Sequence, residues 1–168
     1  MQGNPQAPIS LTEYGDYECP YCGRAYLVVK ALQQALGDDL VVAFRNFPLT
    51  QVHPRALRAA QAAEAAGLQD RFWEMHDLLF EHQDALEDED LLRYAADCGL
   101  DLEKFVEDLD SEVVTARVKS DLLSGARSGV NGTPTFFVNG ERYEGSWEPA
   151  VFLDYLTQLA QGASAPLE

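Results

Sequence analysis

The tetrapeptide Cys19-Pro20-Tyr21-Cys22 constrains this chain more than any other feature of its sequence. It stands between an alternating apolar–polar run at residues 9–14, typical of a β-strand, and a helical run that ends at Leu36. Proline is favoured at the first position of a helix, because its missing N–H would have no partner there. The pattern therefore predicts a helix that begins at Pro20, with Cys19 as its N-cap.

The N-cap position predicts different chemistry for the two cysteines. The partial positive charge at a helix N-terminus favours a thiolate, so we expect Cys19 to have a lowered pKa and to be the reactive sulfur. Cys22 lies one turn further along, close enough to form a disulfide with Cys19. Half a zinc site is the alternative, but structural zinc needs four ligands. There is no second cysteine pair, and the three histidines lie at no ligand-like spacing (His53, His76, His82).

The strand before the cysteine pair carries a carboxylate whose burial depends on the phase of the strand. Ile9, Leu11 and Glu13 point to one face. If that face is the core, Glu13 is buried just ahead of the cysteines, and burial without a cation raises the pKa of a carboxyl group. In the opposite phase the residues between them face inward and Glu13 is solvated. The two apolar neighbours favour the buried phase.

The rest of the chain predicts an α/β domain with an all-helical insertion. An apolar strand at residues 40–44 completes a βαβ unit, which implies parallel strands. Residues 54–128 are helical in pattern and predict about five helices (56–66, 72–80, 91–98, 102–109 and 113–123). A loop ending in Thr133-Pro134 leads into a strand, Asn139-Gly140 predicts a hairpin, and Pro149 opens a last helix. Without a repeat or a linker, we expect residues 1–168 to form one domain.

The net charge and the distribution of apolar residues argue against several functions. A formal net charge of −16 argues against binding to nucleic acid or to anionic membranes. No run of apolar residues approaches the length of a transmembrane span, so we expect no membrane insertion. Residues 1–8 have neither the basic nor the apolar region of a signal peptide. We expect a cytoplasmic protein if the chain is complete and an extracytoplasmic one if an export signal has been removed.

The third cysteine, Cys98, falls in helical phase with Leu91 and Ala95. This position predicts a small buried hydrophobic side chain without redox function.

Three features together resemble the thioredoxin superfamily and, within it, the DsbA-like thiol–disulfide oxidoreductases. They are the Cys19–Cys22 tetrapeptide after the first strand, Thr133-Pro134 just before a hairpin, and a helical block between two βα halves. The resemblance spans residues 8–159 and implies a thioredoxin-like fold, a cis Pro134 that faces the cysteines, and Glu13 as the buried acid of the family. One departure is that Pro-Tyr separates the cysteines where the best-known oxidants carry Pro-His, so the motif itself has no imidazole to stabilise the Cys19 thiolate.

The resemblance implies exchange of disulfides with protein thiols. Cys19 forms the mixed disulfide, Cys22 resolves it, and Glu13 moves the proton on or off Cys22. Thr133, Pro134, Pro20 and Tyr21 are the predicted substrate-binding residues. No cofactor is expected, because the sulfur pair carries the electrons. We expect a monomer that works with a redox recycling partner, as an oxidant, an isomerase or a reductase according to its redox poise.

Two other functions remain open at this point. Cys-Pro-Tyr-Cys is also the glutaredoxin motif, which would make the chain a glutathione-linked reductase. Glutaredoxins, however, are shorter, lack the helical block and carry a glycine-rich acidic stretch after the cis-proline. The second alternative is a binding module that senses redox state without turnover, like the thioredoxin-like modules attached to transporters.

Overall fold

A five-stranded mixed sheet forms the centre of the computed structural model, which describes residues 1–163. The order of the strands in the sheet is β1-β3-β2-β4-β5. The strands β2 and β3 are parallel, and the other neighbours are antiparallel. The strands are β1 (Gln2–Gly3), β2 (Ile9–Gly15), β3 (Leu40–Asn46), β4 (Thr135–Val138) and β5 (Glu141–Tyr143).

The helices follow the order that the sequence predicts. One joins β2 to β3, five form the insertion between β3 and β4, and one follows β5. This arrangement confirms the predicted thioredoxin-like architecture with a helical insertion. The helices are α1 (Pro20–Leu36), α2 (Ala56–Gly67), α3 (Phe72–Glu81), α4 (Asp88–Asp97), α5 (Leu102–Leu109), α6 (Glu112–Arg127) and α7 (Pro149–Ala163), with a 3-10 turn at Gly37–Asp39.

The strand β2 is the buried centre of the sheet, and its two faces pack against different helices. Ile9 and Leu11 are completely buried in a core that α1 and α7 provide. On the other face, Tyr14 packs with Phe47 beside α6. The close approach of α6 depends on Gly125, because a Cβ there would lie 2.8 Å from a ring carbon of Phe47.

The structure differs from the sequence expectation mainly at the ends of elements. The two-residue strand β1 was not predicted, because so short a segment has no periodicity; it pairs with β3 at the edge of the sheet. Helix α4 begins at Asp88, three residues before the first apolar residue of the predicted helix. A capping box between Glu87 and Asp90 fixes that start. Polar first turns escape a search based on apolar spacing.

No helix within residues 1–163 has the length and apolar composition needed to cross a bilayer.

Candidate functional site

The Cys19–Cys22 pair lies at the N-terminus of α1, as its sequence predicts. Pro20 occupies the first turn, and Cys19 is the N-cap with extended backbone angles (φ −71°, ψ 122°). Both are free thiols in this structure, and only 3% of the Cys19 surface is exposed. In its thiol form, Cys19 donates a hydrogen bond from its sulfur to the carbonyl oxygen of Thr133, 3.7 Å away. The geometry therefore presents one sulfur to the loop before β4 and places the other beneath it.

The electrostatic surroundings separate the two sulfurs. The hydrogen bond from the Cys22 thiol lowers the pKa of Cys19 to about 5, against the opposing effect of burial. The Thr133 side chain and the backbone N–H groups of Tyr21 and Cys22 contribute to the same lowering. Burial, the hydrogen bond to Cys19 and the charge of Glu13 raise the pKa of Cys22. Cys19 is therefore a thiolate at neutral pH, whereas Cys22 holds its proton.

Glu13 is buried in the strand β2, on the same face as Ile9 and Leu11, and only 3% of its surface is exposed. Its neighbours in the sheet are Phe44 in β3 and Phe136 in β4, so neither position directly opposite Glu13 carries a cation. The carboxylate oxygen Oε1 has no hydrogen-bond partner among the described residues. Burial, and secondly the negative charge of Cys19, raise the pKa of Glu13 to about 8.

A cavity of about 10 Å³ adjoins Glu13, roughly enough for one water molecule. Its wall includes Phe44, Trp73 and His76, together with the half-buried Lys30. His76 is buried, and burial with the positive charge of Lys30 lowers its pKa to about 3. Glu13 thus shares a water-sized space with the neutral imidazole of His76.

The loop before β4 brings the predicted substrate-binding residues to the cysteines. The Thr133–Pro134 peptide bond is cis. The hydroxyl of Thr133 is buried and has no hydrogen-bond partner in the described part of the chain, so a thiolate at Cys19 is available to accept from it. Pro20 is exposed at the rim, and Tyr21 is 57% exposed with the guanidinium of Arg24 4.6 Å from its ring. The loop residues Thr133 and Pro134 thus approach the start of α1, whereas Glu13 lies in the strand β2.

Asp16 is a site residue that the sequence reasoning missed. It is 1% exposed, and its Oδ1 accepts from the backbone N–H groups of Glu18 at 2.8 Å and Cys19 at 3.2 Å. Its Oδ2 accepts from the N–H of Leu49 at 2.9 Å and lies 2.8 Å from Nδ1 of His53. An aspartate two residues before a turn is an Asx-turn signal, which is visible in the sequence. The partners beyond residue 40 carry no such signal.

Gln83 was also missed, because it comes from the helical insertion. Its side-chain amide donates to the carbonyl oxygens of Tyr17 and Cys19, both at 2.9 Å. A Cβ at Gly23 would lie 2.1 Å from Oε1 of Gln83, so glycine is needed there for this contact. The insertion therefore takes part in holding the segment that carries the reactive sulfur.

Cys98 lies apart from the site, as the C-cap of α4. It is half-buried rather than fully buried, because the helix ends one residue before it. Burial, together with the charges of Glu74 and Asp97, raises the pKa of its thiol, which disfavours reactivity. Within residues 1–163, no group of three or more His, Cys, Asp or Glu side chains is placed to hold a metal ion.

We expect Cys98→Ala to retain full thiol-exchange activity. The side chain packs at the margin of the insertion core, so the change should reduce the free energy of unfolding by less than about 1.5 kcal/mol. Chemical denaturation and exchange kinetics, compared with the unmodified chain, measure both quantities. A disulfide that includes Cys98 in the oxidised protein would contradict the expectation.

Several solved structures resemble this chain over most of its length. A thioredoxin-like oxidoreductase from Silicibacter pomeroyi DSS-3 superposes with a TM-score of 0.83 and 30% identity, over 97% of this chain and 92% of the other. BdbD from Bacillus subtilis superposes with a TM-score of 0.83 and 24% identity, over 95% of this chain and 91% of the other. The thiol-disulfide exchange protein α-DsbA2 from Wolbachia pipientis superposes with a TM-score of 0.83 and 20% identity, over 94% of this chain and 85% of the other. The last two similarities concern the fold.

Comparison of sequences adds a family and a second group of relatives. The family model described as Thioredoxin matches residues 1–158. The Na(+)/H(+) antiporter NhaA 1 of Mycolicibacterium gilvum is 47% identical over 152 residues, which are 89% of this chain and 25% of that protein. NhaA 1 of Salinispora arenicola is 49% identical over 147 residues, which are 88% of this chain and 22% of that protein. The chain thus spans about a quarter of the length of these curated relatives.

Proposed function

Because this chain belongs to the thioredoxin family and has the DsbA-like fold, we propose that it is a thiol–disulfide oxidoreductase acting on protein substrates. The observation that carries the proposal is the contrast between the two sulfurs. The pKa of Cys19 is lowered to about 5 and that of Cys22 is raised, one helical turn apart. A stable thiolate beside a protonated, buried thiol is the arrangement that dithiol exchange requires.

The reaction proceeds in two steps that balance in atoms and electrons. The Cys19 thiolate attacks a substrate disulfide, forms a mixed disulfide and releases one substrate thiolate, which takes a proton from water. Cys22 then loses its proton and attacks the sulfur of Cys19, which releases the second substrate thiol. The pair is oxidised by two electrons and the substrate is reduced by two; the reverse sequence oxidises a substrate dithiol.

Glu13 is the proposed acceptor for the proton of Cys22. Its pKa of about 8 is close to neutral, so the carboxyl group both takes and returns a proton under physiological conditions. When Glu13 is ionised, its negative charge is among the influences that raise the pKa of Cys22, so the protonation of the two groups is coupled. The water-sized cavity beside Glu13 supports exchange of that proton with solvent.

The substrate is proposed to bind as an extended segment along the loop that ends in Thr133 and Pro134. The carbonyl oxygen of Thr133 lies 3.7 Å from the Cys19 sulfur, so a chain paired with this backbone passes directly over it. The exposed ring of Tyr21 and the neighbouring Pro20 offer apolar contact at the rim. Recognition through backbone and a small apolar rim suits many different protein substrates.

The low pKa of Cys19 favours the oxidising direction, because it stabilises the reduced form of the pair. We therefore propose an oxidant of protein dithiols, reoxidised by a separate redox partner, which acts as a monomer. Isomerase activity would require the pair to attack wrongly formed disulfides as well. The compartment follows the direction: an oxidant belongs outside the cytoplasm, and a reductant inside it.

Three assays on the purified chain test the proposal. They are oxidation of a reduced unfolded protein, reduction of insulin disulfides, and equilibration of the cysteine pair with glutathione. With a small-molecule oxidant other than glutathione present to regenerate the Cys19–Cys22 disulfide, we expect turnover of protein dithiols, and none by the double variant Cys19→Ser/Cys22→Ser. Activity that depends on glutathione and survives loss of Cys22 would instead support a glutaredoxin-type reductase. A pair that oxidises but turns over no substrate would support a redox-sensing module.

A further inference from the structure

His53 is far from Cys19 in sequence but is linked to it through the carboxylate of Asp16. It lies between β3 and α2, in a turn closed by a 2.8 Å hydrogen bond from its own N–H to the carbonyl of Leu49. Its Nδ1 is 2.8 Å from Oδ2 of Asp16, whose other oxygen accepts from the backbone N–H of Cys19. A single buried carboxylate therefore joins the imidazole to the backbone of the attacking residue.

We propose that His53 is a positioning residue for thiol exchange, which in its protonated form stabilises the Cys19 thiolate and makes the reactivity of the site depend on pH. The inference deepens the proposed function and rests on it. His53 supplies, from a distant loop, the imidazole that the Pro-Tyr motif lacks between its cysteines.

Asp16 is the reason why the protonation of His53 matters. The carboxylate of Asp16 has no exposed side-chain surface and lies next to Cys19, so an unpaired negative charge there would oppose a thiolate. A protonated His53 balances that charge. The imidazole is 19% exposed in its side chain, so it can exchange protons with water. Solvent thus reaches the imidazole of His53 but not the carboxylate of Asp16.

The charged groups around His53 favour the protonated form. Burial acts to lower its pKa, but the hydrogen bond and charge of Asp16, followed by the charges of Cys19 and Glu18, raise it above its ordinary value. Arg55, on the same segment, partly offsets Glu18, since its backbone N–H donates to Oε2 of Glu18 at 2.7 Å and its guanidinium lies 3.8 Å from Oε1. The balance of these groups raises the pKa of His53 above its ordinary value, which favours the charged imidazole.

The interaction between His53 and Cys19 is reciprocal. If a thiolate at Cys19 raises the pKa of His53, a proton on His53 must lower the pKa of Cys19 by the same amount. When the cysteines form a disulfide the thiolate disappears, and the pKa of His53 should fall. Oxidation of the pair should therefore release part of a proton from His53, which links the redox state to pH.

The test compares variants that separate the charge of His53 from its hydrogen bond. His53→Asn keeps an N–H for Asp16 without a charge, and His53→Arg keeps a charge at every working pH. His82→Asn is the matched control, because His82 is exposed and stacks on Tyr94 in the helical insertion. Thiolate absorbance and the rate of alkylation by iodoacetamide report on Cys19 as pH is varied. Neither measurement requires turnover of a substrate.

We expect His53→Asn to raise the pKa of Cys19 by about one pH unit. Its alkylation should then slow severalfold near pH 5 and match the unmodified chain at alkaline pH. Its equilibrium with glutathione should shift about tenfold toward the disulfide while His53 would be charged, equivalent to a potential lower by about 30 mV. His53→Arg should keep the low pKa of Cys19 and lose the pH-dependent step. His82→Asn should behave as the unmodified chain.

A thiol titration of His53→Asn that coincides with the unmodified chain would overturn the proposal. A second measurement needs no variant: the imidazole of His53 can be titrated by nuclear magnetic resonance in the reduced and the oxidised protein. A higher pKa in the reduced form is expected, and equal values would also overturn it. If the unmodified chain turns over no substrate while these titrations behave as expected, the proposed function fails, whereas the coupling between His53 and the Cys19 thiolate is still established.

Discussion

Replacing Cys22 with serine should trap the protein in mixed disulfides with its substrates, whereas replacing Cys19 with serine should abolish both trapping and turnover. The reason is the division of labour at the start of α1. Cys19 is the sulfur whose pKa is lowered to about 5, and it faces the carbonyl of Thr133. Cys22 is completely buried, so an incoming substrate cannot reach it first.

Incubation with a reduced, unfolded protein in a mild oxidant, followed by non-reducing electrophoresis and mass mapping, measures the trapped species. Exchange should fall to the level of buffer alone in Cys19→Ser. Cys98→Ala is the matched control, since it removes a thiol outside the site. Alkylation at mildly acid pH should label Cys19 first. Preferential labelling of Cys22, or trapping by Cys19→Ser, would reverse the assignment.

Glu13→Gln should slow thiol exchange and at the same time make the fold more stable at neutral and alkaline pH. The pKa of Glu13 rises from 4.5 to about 8 on burial beside Cys19, with no hydrogen bond to Oε1 from the described residues. Between these two values the folded chain holds a proton that the unfolded chain has lost. The free energy of unfolding therefore decreases as pH rises through this range, by about 3 kcal/mol at pH 7.

A glutamine has no such proton, so this part of the pH dependence should disappear in Glu13→Gln. Denaturant unfolding at a series of pH values between about 4.5 and 8 measures it. The effect should be larger in the reduced protein, because the charge of Cys19 contributes to the raised pKa. A Glu13→Gln variant with unchanged exchange rates and lower stability at pH 7 would contradict both halves of the prediction.

The local signals in the sequence were enough to predict the fold and the reacting sulfurs. Pro20 marked the start of α1, and the alternation of Ile9, Leu11 and Glu13 placed the acid on the buried face. Asn139-Gly140 marked the hairpin between β4 and β5. Each of these features depends on residues close together in the chain, where turn chemistry and periodicity apply directly.

The parts of the site that could not be predicted are contacts between distant segments. Gln83 reaches the carbonyl of Cys19 across 64 residues, and His53 reaches Asp16 across 37. Neither residue type nor spacing announces such a pair, because only the packing of α3 and the turn before α2 brings the groups together. The histidines were considered as metal ligands and set aside, and the role of one of them depends on a carboxylate that sequence patterns did not single out.

The contact between Gln83 and the active-site segment limits how this domain can be simplified by protein engineering. A minimal domain made by joining β3 directly to β4 would lose the amide that satisfies the carbonyls of Tyr17 and Cys19. It would also uncover the ring of Tyr17, now 1% exposed and packed against Phe80. The sulfur would remain, but the loop that aims it would have lost its support. The helical block is therefore a structural part of the reaction centre. We expect a transplanted active site to need both the Cys19–Cys22 segment and the helical block.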